Sequence, residues 1–178
     1  VPTHEWYYGA MMTASENGFM TQGRPGENVF KQEALLMILR ASGAPESGIT
    51  GSCSLKGTSV GSVSPYATCA VNYALSKGLD LRGSMTVPVS RVEMVEWLVK
   101  LAEVPKANPS VLDKYTDLAG LSSDEKAAVA AVVAKEIMVG NVSGDSARFD
   151  VRSPITRAAL AVILERLITK KLISTKSS

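Results

Sequence analysis

The chain has 178 residues, of which 46% are apolar and 6% aromatic, and its net charge is +2. That length suits one or two ordinary domains, and the apolar fraction supports a sizeable core and excludes disorder over most of the chain. No block of Lys and Arg exceeds two adjacent residues, a poor footprint for duplex DNA, and no apolar run reaches the roughly 18 residues of a membrane span.

In chain order, the opening VPTHEWYYGAMM lacks the charged start and cleavage site of a signal peptide. Either the protein is not exported or the signal has been removed from this chain. Ala10, Met11, Ala14 and Phe19 then form an apolar helical pattern, and Gly18 stands where a C-terminal glycine belongs. After a polar loop, Lys31 is followed by Ala34, Met37, Ile38 and Ala41. Within this second helix, ALLMIL (34–39) is apolar all round, which predicts burial on every side. Residues 43–65, GAPESGITGSCSLKGTSVGSVSP, read as a long surface connection rich in Gly and Ser.

The two patterns then recur. Ala70, Val71, Ala74 and Leu79, with Gly78, repeat the first at an offset of 60, and Arg91 is followed by Met94, Trp97, Leu98 and Leu101. A shorter connection, EVPKANPSVLDKYTDLAG, leads to Ala128, Val129, Val132 and Ile137, with Glu136 in place of the glycine. Arg157 is followed by Leu160, Ile163, Leu164 and Leu167. All three cations have apolar residues 3, 6, 7 and 10 positions later, which is one helical face. The third unit's loop, VGNVSGDSARFDVRS, is eight residues longer than its counterparts. Three units of helix, polar loop and helix follow, over 1–45, 46–105 (with the connection) and 106–173. They form one integrated domain, because a lone helix pair cannot bury its apolar face. Plentiful Ala, Leu and Met agree with a helical chain.

The three helix starts share an oddity. Ser90-Arg91-Val92-Glu93 reads as a capping box, with Val89 and Met94 as its hydrophobic staple. Thr156 caps the third copy between Ile155 and Leu160, but Ala159 stands where the box wants Glu. In the first copy Glu33 is present, but Phe30 cannot cap. Lys31, Arg91 and Arg157 nevertheless each occupy the first helical position, where the helix dipole disfavours a cation by roughly 0.3–1 kcal/mol. Two explanations stand. Each cation pairs with a carboxylate of a neighbouring unit, or the free amides of the helix start join the cation in holding an anionic ligand.

This threefold pattern, with second helices opening on PVSRVEM and SPITRAAL and more distantly on VFKQEAL, resembles the S-layer homology domain family. The third unit of this chain matches most closely: YTDLAG (115–120) resembles the family's aromatic-x-Asp opening, the loop leading through Phe149 to SPITRAAL resembles its glycine-containing loop and motif, and the likeness runs from about residue 5 to 168. It implies an all-α pseudo-threefold bundle with the motif-bearing helices at its centre. It also implies grooves that bind acidic, often pyruvylated, cell-wall polysaccharide without catalysis or cofactor, and so anchor a larger surface protein outside the cell. The matched glycan-binding positions are Lys31, Arg91 and Arg157, Glu33 and Glu93, Trp6 and Tyr66, and Asp117. The chain departs from the family at Lys31, Phe30, Ala159 and Asp124, the last standing where the other units have Trp6 and Tyr66. The groove using Arg91 is therefore the first expected to bind. The alternative is a protein–protein or structural module that has kept the fold and lost the glycan.

Other constellations carry less. His4 is the only histidine and reads as a solvated terminal residue. Cys53 and Cys69 lack metal-ligand spacing; they form one disulfide or remain two free thiols. Asn141-Val142-Ser143 fits a glycosylation sequon by pattern alone. Gly140, Gly144 and Asp145 lack the carboxylates of a calcium loop. Asp124, Glu125 and Glu136 read as a solvated helix face. Trp97 reads as core, and Trp6 and Tyr66 as either core or sugar-stacking rings. No acid–base pair or nucleophile stands out, and the chain reads as a non-enzyme.

Overall fold

The computed structural model describes residues 5–21 and 23–174; His4 lies outside them. The molecule is mostly helical, with one two-stranded sheet that the all-α expectation did not include. Helices α1 (Tyr8–Glu16), α4 (Thr68–Ser76) and α6 (Ser123–Ala134) carry the first apolar pattern of each sequence unit. Helices α2 (Lys31–Ala41), α5 (Arg91–Leu101) and α7 (Arg157–Thr169) carry the second. A short α3 (Glu46–Ile49) follows α2, and strands β1 (Asn141–Ser143) and β2 (Ser146–Arg148) precede α7.

The helix starts form as their side chains dictate. Ser90 Oγ accepts from the Glu93 amide at 3.3 Å and Glu93 Oε1 accepts from the Ser90 amide at 3.1 Å, closing the capping box. Thr156 Oγ1 accepts from the Ala159 amide at 3.2 Å, the half box its sequence allows. Phe30 makes no side-chain cap. A second full box, Ser122 with Glu125, opens α6. Glu125 is therefore not the solvated residue the sequence suggested: it caps Ser122 and also lies 3.6 Å from Arg152.

The helix ends are more uniform than their residues. Gly18, Gly78 and Glu136 all adopt positive φ (76°, 86° and 57°). In each case the next amide reaches back to a carbonyl in the last turn: Phe19 to Ala14, Leu79 to Ala74 and Ile137 to Val132. Glu136 thus takes the left-handed turn that glycine adopts without a Cβ penalty.

The apolar faces then decide the packing. All of 34–39 is buried, as its all-round apolar character requires. Helix α2 packs against α4, α5 and α7, while α5 packs on α6 and α7 on α1. The first helix of each sequence unit therefore lies on the second helix of a different unit: α4 on α2, α6 on α5, and α1 on α7. The segments just before α2, α5 and α7 are bridged in all three combinations, Asn28 with Thr156, Phe30 with Pro88, and Ser90 with Pro154.

The long connection after α2 is a surface strap pinned at a few points. Ile49 and Val60 are buried in it. The Lys56 amide donates to Asn72 Oδ1 and Asn72 Nδ2 donates to the Ser54 carbonyl, at 2.9 and 2.8 Å. Cys53 of the strap is bonded to Cys69 of α4, resolving the two readings of the thiols in favour of the bridge. In the long third loop, β1 and β2 pair antiparallel across a two-residue Gly144-Asp145 turn. At its base Gly140 (φ 69°) is packed so closely that a Cβ would collide with the Arg148 carbonyl oxygen. Phe149, fully buried, wedges the hairpin onto the core beside Tyr115.

Candidate functional site: three helix starts and the grooves around them

The amides of the three helix starts are not free. The first two of α2, at Lys31 and Gln32, donate to the carbonyls of Val87 and Met85. Those of α5, at Arg91 and Val92, donate to Ser153 and Val151. Those of α7, at Arg157 and Ala158, donate to Glu27 and Pro25. All six distances fall between 2.8 and 3.0 Å. Each of these helices is thus capped by the loop that leads into another of the three, and the expectation of open amides at these positions does not hold. The dipole field remains, but it already faces peptide carbonyls.

The cations follow the same cyclic plan. Arg157 is 5% exposed; its Nη2 donates to the Thr21 carbonyl at 2.7 Å and to Thr21 Oγ1 at 3.2 Å, and its Nε to the Gly23 carbonyl at 3.2 Å. Arg91 Nε donates to the Phe149 carbonyl at 2.9 Å, with the guanidinium 5.2 Å from the Phe149 ring centre. Lys31 lies 2.8 Å from Glu93 Oε2 and 3.4 Å from the Arg82 carbonyl. Among the described residues, only Lys31 therefore meets the carboxylate that the sequence suggested for all three. The two arginines instead reach backbone carbonyls, acceptors that carry no signature in the side-chain sequence. Burial pushes both guanidiniums below the ordinary arginine value; at Arg91 the charges of Asp150 and Asp117 oppose that, and at Arg157 Arg24 adds to it.

Three grooves open beside these helix starts, two of them lined by residues of all three sequence units and the third by residues of the second and third. The Tyr66 groove, 400 Å³, is lined by Tyr66, Glu33 and Arg157, with Arg24 and Glu27 at its side. The Trp6 groove, 370 Å³, is lined by Trp6, Ala159 and Arg91, with Arg166 and Asp150. The Asp124 groove, 530 Å³, is lined by Asp124 and Glu93, with Asp80, Glu96 and Lys100; Lys31 reaches it through its ion pair with Glu93. Arg91 and Glu93, neighbours in one motif, therefore face different grooves. The Arg91 groove lacks a motif glutamate altogether.

Trp6 and Tyr66 are 70% and 51% exposed, so they are groove walls and not core. Tyr66 is held in place: its hydroxyl donates to Glu33 Oε1 and accepts from Gln32 Nε2, and Gln32 is itself anchored to Ser64. Partial burial, followed by the bond to the Glu33 carboxylate, raises the Tyr66 pKa. Glu96 is also raised, by burial first and then by Glu125, Asp124, Asp80 and Glu93 around it. Asp117 stands apart from the grooves. Its two oxygens accept from the amides of Phe149 and Asp150 at 2.9 and 2.8 Å, so it fixes the loop that Arg91 also grips. Trp97 is 4% exposed, in the core as expected. Sequence reasoning missed Arg24, Arg166 and Glu96, which stand at no motif position.

Chemically, the grooves offer exposed aromatic faces, carboxylates and guanidiniums, which is equipment for binding. No helix among the described residues is long and apolar enough to cross a membrane. No protein-family model matches the chain, and no curated protein matches its sequence.

Proposed function

We propose that the chain is an S-layer-homology-like module: three helix–loop–helix repeats closed into a pseudo-threefold bundle that binds bacterial cell-wall polysaccharide without catalysis. In this reading it anchors a surface protein to the cell envelope, outside the cell, and its ligand is an acidic, pyruvylated or otherwise charged glycan. The observation that carries the reading is the composition of the grooves. Each takes the third residue of one central helix and a residue near the start of an outer helix, and each has a first-position cation lining it or ion-paired at its edge. Two of the three present an exposed aromatic ring, the face on which a sugar stacks. The disulfide between Cys53 and Cys69 suits an oxidising compartment such as the cell surface.

A second reading, a structural or protein-interaction module without a glycan, is favoured by one observation: Lys31 and Arg157 are engaged by neighbouring units and serve docking. Sedimentation with purified cell walls separates the two. The chain is expected to co-sediment, and the double variant Trp6→Ala with Tyr66→Ala to remain in the supernatant with unchanged helical circular dichroism. Failure of the unmodified chain to sediment with any wall fraction, together with recovery of a protein partner by pull-down, would establish the second reading.

A further inference from the structure

Near their C-terminal ends α2, α5 and α7 carry a second set of matched cations: Arg40, Lys100 and Arg166. In the second and third units this cation ties down the end of the preceding helix of its own unit. Lys100 Nζ donates to the Gly78 carbonyl at 2.9 Å, and Arg166 Nη1 to the Ile137 carbonyl at 3.1 Å. Each cation thus meets the partial negative charge that the helix dipole leaves at a C-terminus. The first unit departs from this plan. Arg40 turns to α3, where its Nε donates to Glu46 Oε1 at 2.8 Å. The carbonyl of Gly18, the counterpart of Gly78, has no partner among the described residues. A 490 Å³ cavity opens at this turn, lined by the C-terminal ends of α1, α2 and α5 and by the residues just beyond α7. Its floor is apolar: Phe19, Ala41 and Ala102 are buried, and Leu172 and Ile173 half-buried. Its rim carries the exposed Glu46 and Glu103, and Arg40 is the only cation lining it.

We propose that this cavity binds a lysine side chain of a partner protein, whose ammonium takes at Gly18 the place that Lys100 holds at Gly78. The alkyl stem lies on the apolar floor, and the charge meets the Gly18 carbonyl and the Glu46 and Glu103 carboxylates. A neutral apolar side chain would cover the same floor but leave that carbonyl without a donor. An anion would face two carboxylates and several helix C-termini with Arg40 alone to attract it. The Arg40–Glu46 pair keeps the cavity accessible. With Glu46 neutralised, Arg40 turns onto the Gly18 carbonyl, as Arg166 does onto that of Ile137, and excludes the ligand. The site lies at the ends of the helices whose starts border the grooves, and it takes the opposite charge.

The test is an NMR titration of the full chain, following the amide resonances of Gly18 and Glu103. The probes are acetylated, amidated Ala-Lys-Ala, the same peptide with arginine or norleucine at its centre, and n-butylamine. The lysine peptide should bind roughly tenfold or more tightly than the norleucine peptide, the effect of a charge-assisted hydrogen bond, and more tightly than the other two probes. Glu46→Gln should weaken it roughly tenfold, whereas Arg40→Ala combined with Glu46→Gln should return to within about threefold of the parent, because the competing guanidinium is gone. Loss of the Glu46 charge alone would leave the double variant as weak as the single one. A partly exposed ion pair contributes little to stability, so both variants should keep the parent's helical circular dichroism. Equal binding of the norleucine peptide, unchanged affinity in Glu46→Gln, or a double variant no tighter than Glu46→Gln would overturn the proposal. So would tighter binding of the arginine peptide, butylamine matching the lysine peptide, or resonance shifts that follow protein concentration without peptide, which would assign the site to a second copy of the chain.

Discussion

Replacing Arg157 with alanine tests whether the buried arginine is a tie between units. Its guanidinium, at 5% exposure, holds the carbonyls of Thr21 and Gly23 and the Thr21 hydroxyl. A hydrogen bond to a charged group contributes roughly 1.5–3 kcal/mol net, and truncation also strands two carbonyls that must find water. Against this stand the roughly 0.3–1 kcal/mol of helix-start repulsion relieved by the change and the desolvation of the cation. The net loss is about 2–4 kcal/mol, which in a chain of this size lowers Tm by about 5–15 °C. Thermal unfolding followed by far-UV circular dichroism at neutral pH measures it. Arg157→Lys should fall between, because a lysine retains the charge but loses the planar fork. Arg91→Ala, which removes one hydrogen bond, should cost less than Arg157→Ala. A Tm drop under about 2 °C for Arg157→Ala, or a larger loss at Arg91, would refute the assignment of Arg157 as a structural tie.

Two further outcomes follow from the helix end of α6 and the acidic groove. Glu136→Gly removes a Cβ from a residue held at φ 57°, and should stabilise by about 0.5–1 kcal/mol, the left-handed penalty less the entropy of glycine; an unchanged or lower Tm would count against it. Glu96→Gln acts through pH. The Glu96 carboxyl is raised above its ordinary 4.5 by burial and by Glu125, Asp124, Asp80 and Glu93, with Lys100 also on that groove. The folded state thus binds this proton more readily than the unfolded state, so the destabilisation is fully present above the raised value and is relieved as pH falls from there towards 4.5. The glutamine variant should therefore be more stable than the parent at pH 7, with the gap closing over that window in urea titrations. A gap that is constant with pH would exclude the mechanism.

Much of the fold was legible because it is written in local chemistry. The periods of 3, 6, 7 and 10 after each cation mark the buried faces of α2, α5 and α7, and Ser90 with Glu93 specifies its own cap. What was not legible is which face meets which. An apolar stripe states that it is buried but not against whom, and the structure resolves the choice by setting α4 on α2, α6 on α5 and α1 on α7. That shift is why Arg91 and Glu93, adjacent in one motif, separate into two grooves, and why the Arg91 groove is defined by Ala159. The arginines' acceptors were invisible for a related reason: backbone carbonyls belong to every residue, so no pattern of side chains announces them. Glu136 hid the helix end that Gly18 and Gly78 advertise, because burial of Ile137 behind it holds the turn with or without glycine. The Gly144-Asp145 turn did carry a hairpin signal, but its flanking strands are three residues each, too short to show alternation.

The packing of α1 on α7 sets a timetable for the molecule. Thr13 of α1 and Glu165 of α7 meet across 152 residues of chain, so on the ribosome α1 emerges long before the surface it covers exists. Its buried Ala10, Met11 and Ala14 must remain unburied, or borrow another partner, until synthesis has passed α7. Helices α4 and α6 emerge after α2 and α5, the helices they cover, and can dock at once. The docking of α1 must therefore wait for α7, and a second chain arriving before that with its own α1 could supply the same face. Domain-swapped dimers exchanging α1 are the misassembly this architecture invites.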